Sequence, residues 1–182
     1  MSRPERMSER LWSVPLALSD VPDSGRHLDL VADEQTRSAV AKHAGLAALL
    51  RLEASFDVTL HGRGGLHVVG RVSATVGQTC VVTLEPLENE IDESIDLIFA
   101  PGGPLPLFAG GEAEVPAVDE PEVLVGGVID LGAIATEFLI LGLDPYPRKP
   151  DAIFQASAVG DDATHPFAAL AALKKGQGRK ER

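Results

Sequence analysis

The chain has 182 residues, 45% of them hydrophobic, a single cysteine and a formal net charge of −11, which describes one folded domain with tails rather than a disordered or fibrous protein. One thiol excludes an internal disulfide and a multi-cysteine zinc site, and no apolar run reaches the ~20 residues of a membrane span. Charge is unevenly placed: residues 72–147 contain fourteen Asp or Glu and no Lys or Arg, whereas residues 148–182 carry seven basic and four acidic groups. So anionic a segment repels phosphate backbones and attracts cationic protein segments, although solubility alone also explains it.

Residues 1–10 are polar and mixed in charge, without the apolar run of a signal peptide, and are expected to be a flexible N-terminus. Residues 11–154 are expected to form a single domain, followed over 155–182 by a linker, a short helix and a basic tail. Trp12–Leu18 and His27–Val31 read as short strands, separated by the turn residues Val21-Pro22-Asp23-Ser24-Gly25. Asp33 is placed to cap a helix that stops near Gly45.

From Leu49 to Leu60, the residues Leu50, Leu52, Ala54, Phe56, Val58 and Leu60 alternate with Arg51, Glu53, Ser55, Asp57 and Thr59. Period two predicts a strand whose Leu50, Leu52, Phe56, Val58 and Leu60 point into the core. Leu66–Val76 follows as a second strand, joined antiparallel through His61-Gly62-Arg63-Gly64-Gly65, and Cys80–Leu84 and Ile91–Phe99 are expected to extend the sheet. Residues 100–122, with Pro101, Pro104, Pro106, Pro116 and paired glycines, read as a mobile acidic loop. Asp130 then caps a second helix, to Leu141, apolar nearly all round and so expected to be buried; Asp144-Pro145-Tyr146-Pro147-Arg148 ends it. Pro166 opens a short helix over Phe167–Lys175, before the tail. The fold class is therefore α+β: an antiparallel sheet with a long central hairpin, packed by two main helices, with a short C-terminal helix and a flexible acidic loop.

Few residues suggest chemistry. The glycines around Arg63 lack the Lys and Ser/Thr of a phosphate-cradling loop. His61 and His67 flank the hairpin turn and can meet across it, but alone they make an incomplete metal site, and neither a metal nor another cofactor is expected. Cys80, amid Val81 and Val82, reads as a buried and inert thiol. Glu85, Glu88, Glu90, Asp92, Glu93 and Asp96 read as a solvated strand edge, where charge resists unwanted pairing. Glu137 lies on an apolar helix and would be costly to bury unpaired, which makes Arg148 its candidate partner. No nucleophile, base and orienting group recur at catalytic spacing, so the chain reads as no enzyme; a hydrolase using the acidic loop with His61 or His67 is the weaker alternative.

Several short motifs stand in a fixed order: Gly70-Arg71-Val72; Gln78-Thr79-Cys80-Val81-Val82-Thr83-Leu84-Glu85-Pro86; Ile129-Asp130-Leu131-Gly132 with Glu137; Leu143-Asp144-Pro145-Tyr146-Pro147-Arg148; and Pro166-Phe167-Ala168-Ala169-Leu170 with Leu173-Lys174. Together, from about Val14 to Lys175, they resemble the YceD-like family of large-subunit ribosomal RNA accumulation proteins. The resemblance implies a cytoplasmic, non-enzymatic factor needed for normal levels of 23S ribosomal RNA, in a family whose gene often neighbours that of the basic ribosomal protein L32. Many relatives carry Cys-x-x-Cys where this chain has Cys80-Val81-Val82-Thr83, so a metal or redox role at that point is not carried over, and the family supplies no catalytic residues to transfer.

Joined to the charge map, the resemblance predicts a ribosomal protein or large-subunit precursor as partner, held by Glu85, Glu112, Glu114, Asp119, Glu120 and Glu122. The alternative is direct contact with ribosomal RNA by the basic tail, through Lys174, Lys175, Arg179 and Lys180. A chaperone unrelated to ribosomes is a third reading, and neither membrane nor DNA is an expected partner.

Overall fold

The structure, a computed structural model, describes residues 11–101 and 121–154. The expected N-terminal segment, nearly all of the acidic loop, the C-terminal helix and the basic tail lie outside the described residues. The chain divides after Ala152 into two compact units, and every element below belongs to the first.

The period-two stretch forms the predicted hairpin. β3 (Ala48–His61) and β4 (Gly65–Thr79) pair antiparallel, and Gly62 and Gly64 turn the chain between them with φ of 56° and 82°, values that residues with a side chain rarely adopt. β2 (Arg26–Val31) flanks β3, and β5 (Pro86–Pro101) flanks β4, both antiparallel. Beyond β5 lies β6 (Glu122–Leu124), which pairs in parallel with Phe99–Pro101, so the five-stranded sheet is mixed rather than purely antiparallel. β1 (Pro15–Ala17) and β7 (Val128–Asp130) make a separate two-stranded sheet. The two helices are α1 (Glu34–Ala44) and α2 (Leu131–Leu141), capped by Asp33 and Asp130 as their sequences predict.

One face of the large sheet is the core. It is built from Leu52, Ala54, Phe56 and Val58 of β3, Leu66, Val68, Val72, Ala74 and Val76 of β4, and Ile91, Ile95 and Phe99 of β5. The same cluster takes in Leu131, Ile134, Ala135 and Leu139 of α2, Val40 and Ala41 of α1, and Trp12 and Leu16. Each large apolar side chain removed from water contributes about 1.5–3 kcal/mol. Gly70 sits opposite Phe56 in the register, and a Cβ there would lie 2.6 Å from the Phe56 ring. The ring occupies the space that any side chain at position 70 would need.

Four expectations are corrected. A bulge between Leu49 and Arg51 shifts the register of β3, so Leu49 points inward and Leu50 is 52% exposed. A one-residue slip sends the next side chain to the other face. Leu60, next to the end of β3, is exposed as well. Cys80–Leu84 is a turn and not a strand: the Cys80 N–H donates to the Glu85 carbonyl, the Leu84 N–H donates to the Cys80 carbonyl, and Leu84 has φ of 60°, which no strand accommodates. α2 is not buried all round, since Ala133, Glu137, Ile140 and Leu141 form an exposed stripe at helical spacing. Glu137 lies in that stripe, where water solvates it, and it makes no ion pair with Arg148, which is also exposed.

Candidate partner-binding surface

The face of the sheet opposite the core is polar because period-two alternation puts every second residue of β3, β4 and β5 there. On β5 these are Glu88, Glu90, Asp92, Ser94 and Asp96. Cations of the neighbouring strands reach part of this row. Arg71 of β4 makes a two-pronged pair with Asp92. Arg51 of β3 reaches across β4 to Glu90 at 2.8 Å and also bonds Glu53 at 3.2 Å and the Ser73 hydroxyl at 3.0 Å. The Thr75 hydroxyl donates to Glu90 at 2.7 Å, and His67 Nε2 lies 2.7 Å from Asp96. At the far side His27 Nδ1 meets Asp57 at 2.7 Å and its Nε2 lies 3.4 Å from Asp29.

These contacts set the protonation of the face. Hydrogen bonds from Thr75 and Arg51 hold the Glu90 carboxyl below the usual range, and Arg71 does the same for Asp92. The bond to Asp57, with Asp29 beside it, holds His27 above its ordinary value. The groups are exposed, and ion pairs in water contribute little to stability. Seven carboxylates, Asp29, Glu53, Asp57, Glu88, Glu90, Asp92 and Asp96, face the two guanidinium groups of Arg51 and Arg71, so the surface stays anionic. His61 and His67 meet across the hairpin edge to face with ring centres 6.3 Å apart.

At the other end of β5 a clasp holds the Cys80–Glu85 turn to the segment after α2. The Val81 N–H donates to the Pro147 carbonyl at 2.9 Å, Gln78 Nε2 to the Asp144 carbonyl at 3.0 Å, and Lys149 Nζ to Glu85 at 2.8 Å. Lys149 thereby holds the Glu85 carboxyl below the usual range. Cys80 has no exposed surface. The Thr83 hydroxyl, the Lys149 backbone N–H and the Thr83 backbone N–H converge on its sulfur and lower the thiol to about 6, outweighing desolvation. A groove of ≈ 330 Å³ beside the clasp runs between Gly45–Ala47 and Leu143, Pro145 and Pro147. Among the described residues Asp144 is its one titratable lining side chain.

Asp130 performs a third structural task. Its carboxylate accepts from the Ser13 hydroxyl at 2.7 Å, the Val14 N–H at 2.8 Å and the Ala133 N–H at 3.2 Å, and so ties the N-terminal strand to the start of α2. Gly132 lies against the Trp12 backbone, where a Cβ would stand 2.7 Å from the carbonyl oxygen. The Asp-Leu-Gly motif is a joint.

Residues 68–174, more than half of the chain, match the family model described as large ribosomal RNA subunit accumulation protein YceD. The chain belongs to the YceD family. Membership ties it to accumulation of large-subunit ribosomal RNA, and the YceD description names no reaction. No curated protein and no solved structure matches it. Within the matched span Gly70, Gln78, Cys80, Glu85, Asp130, Gly132 and Pro147 serve packing, capping or the clasp.

Of the residues predicted to bind a partner, the two described, Glu85 and Glu122, are not brought together. Glu85 is engaged by Lys149, and exposed Glu122 opens β6 opposite Phe99, so the two stand at opposite ends of β5, roughly 40 Å apart along the strand. Glu112, Glu114, Asp119 and Glu120, like Lys174, Lys175, Arg179 and Lys180, lie outside the described residues. The row Glu88, Glu90, Asp92 and Asp96, which sequence reading treated as edge protection, is the described part of the acidic surface. Arg51 and Arg71 were not anticipated as its counter-ions, nor His67 as the neighbour of Asp96, because only the strand register reveals who faces whom. Among the described residues no group of three or more His, Cys, Asp or Glu could hold a metal ion, and no helix is long and apolar enough to cross a membrane.

Proposed function

We propose that this YceD-family chain is a non-enzymatic factor in large ribosomal subunit biogenesis. In this reading it supports 23S ribosomal RNA accumulation by holding a basic ribosomal protein, or an assembly intermediate that contains one, on its acidic surface. The observation that carries the reading is the placement of charge within the family match: the span 72–147 has fourteen carboxylates and no Lys or Arg, and four of them, Glu88, Glu90, Asp92 and Asp96, line the exposed face of β5. A cationic partner would be steered there and would screen the mutual repulsion of the carboxylates. Glu112, Glu114, Asp119, Glu120 and Glu122 extend the same charge, and Glu85 adds to it where Lys149 leaves it accessible.

Affinity purification of the full chain from growing cells, with bound protein and RNA identified, tests the reading. A basic ribosomal protein or large-subunit precursor should be recovered, and the association should weaken steeply as salt shortens the reach of exposed charges to about 8 Å near physiological ionic strength. Neutralising Glu112, Glu114, Asp119, Glu120 and Glu122 together should weaken it, while ending the chain after Gly176 should not. Loss on truncation with the five-site variant intact would move the binding role to the tail, through Lys180 and its neighbours, and to direct contact with RNA.

A further inference from the structure

We infer that the outer edge of β5, from Pro86 to Ile98, is a docking site for an extended Lys- or Arg-rich segment of a partner protein, which joins the five-stranded sheet as an added strand. The inference rests on the cationic-partner reading above and adds where the partner sits and what it bonds. β4 pairs with β5 without a break from Pro86 to Phe99. On the other side, among the described residues, β5 meets only the three residues of β6, at Phe99–Pro101. Pro86–Ile98 therefore presents outward backbone N–H and C=O groups with no strand against them among the described residues, and β6 shows that this edge accepts a strand where one is supplied.

What protects the edge also selects its occupant. Sheet edges are commonly blunted by lysine, proline or a bulge. Between Leu87 and Ile98 there is no proline, no cation and no register shift. The protection consists of carboxylates alone. Two copies of this edge would set one acidic row against another, which disfavours self-pairing, whereas a cationic strand meets the opposite charge.

The spacing fits this chemistry. Glu88, Glu90, Asp92 and Asp96 share the exposed face at steps of about 6.7 Å, with Ser94 in the remaining place, and an added strand repeats its side chains at the same step. Basic residues at alternate positions would each stand beside a carboxylate. The chain's own cations leave capacity: Arg51 is shared between Glu53 and Glu90, and Glu88 has no ion pair among the described residues. Main-chain bonds would supply affinity and the acidic row would supply selection, the division of labour of strand addition.

The test uses the full chain and a synthetic peptide as long as Pro86–Ile98, with Lys at every second position and Thr or Val between. Two analogues carry N-methyl groups on the odd or on the even backbone nitrogens, which keeps the charge and removes one row of donors. Strand addition requires that one analogue lose about tenfold or more in affinity while the other binds nearly as the parent does. It also requires that the parent slow amide exchange within Pro86–Ile98. Equal binding by all three peptides, no binding by any, or amides already protected in the free protein would overturn the inference. Recovery of a basic ribosomal protein from cells alongside failure of the peptides would leave the partner reading standing and remove the edge mode. Strand addition by the peptide with no basic protein recovered would do the reverse.

Discussion

Asp130 and Asp92 are both strand carboxylates, one in β7 of the small sheet and one in β5 of the large sheet, and they belong to regions that work differently. Asp130 gathers the Ser13 hydroxyl and two backbone N–H groups and joins β1 to α2, so the fold depends on it. Asp92 pairs with an exposed guanidinium on the outer face, where water could solvate either group alone. The contrast extends to the neighbours: Gly132, Cys80 and Pro147 hold elements together, while the row from Glu88 to Asp96 lies on the exposed face, outside the core.

The sharpest way to break this division is at the core. Phe56→Ala should cost about 3–5 kcal/mol, since it empties space in the core beneath β3 and uncovers Gly70. An unchanged denaturation midpoint would mean that the inward face is wrongly assigned. The bulge gives a paired test: Leu49→Ala should cost about 2–5 kcal/mol and Leu50→Ala less than about 0.5 kcal/mol. Equal losses would restore the unbroken alternation that the sequence suggests.

Asp130→Ala should cost about 2 kcal/mol, combining a lost helix cap with donors left unpaired at Ser13 and Val14. If it proved as harmless as Asp92→Asn, which should lower the urea midpoint only slightly, the distinction between joint and surface would fail. The smallest expected effect is one of pH. Glu90 and Asp92 have folded pKa values below the ordinary 4.5 and 3.8. Their contribution is therefore present above those values and lost as pH falls through the folded ones. Stability should decline shallowly below about pH 4.5, and the Glu90→Gln, Asp92→Asn double variant should flatten that decline; a wild-type slope in the variant would show that the pairs are not formed.

Much of this was legible in advance for physical reasons that are local. Alternation marked β3 and β4, glycines marked their turn, and Asp33 and Asp130 announced the helices they cap, because strand period, turn geometry and capping depend on residues within a few positions. The chain's polarity and charge distribution were equally set by the sequence. Only tertiary structure decided the rest. The bulge that turns Leu50 outward is a relation between two strands, and the parallel β6 depends on a distant segment reaching Phe99. Cys80 left its expected strand because Pro147 and Lys149, more than sixty residues away, hold its turn. Which acids meet Arg51 and Arg71, and which edge of β5 has no strand against it among the described residues, follow from register and sheet order, properties of chain pairing that no single stretch of sequence contains.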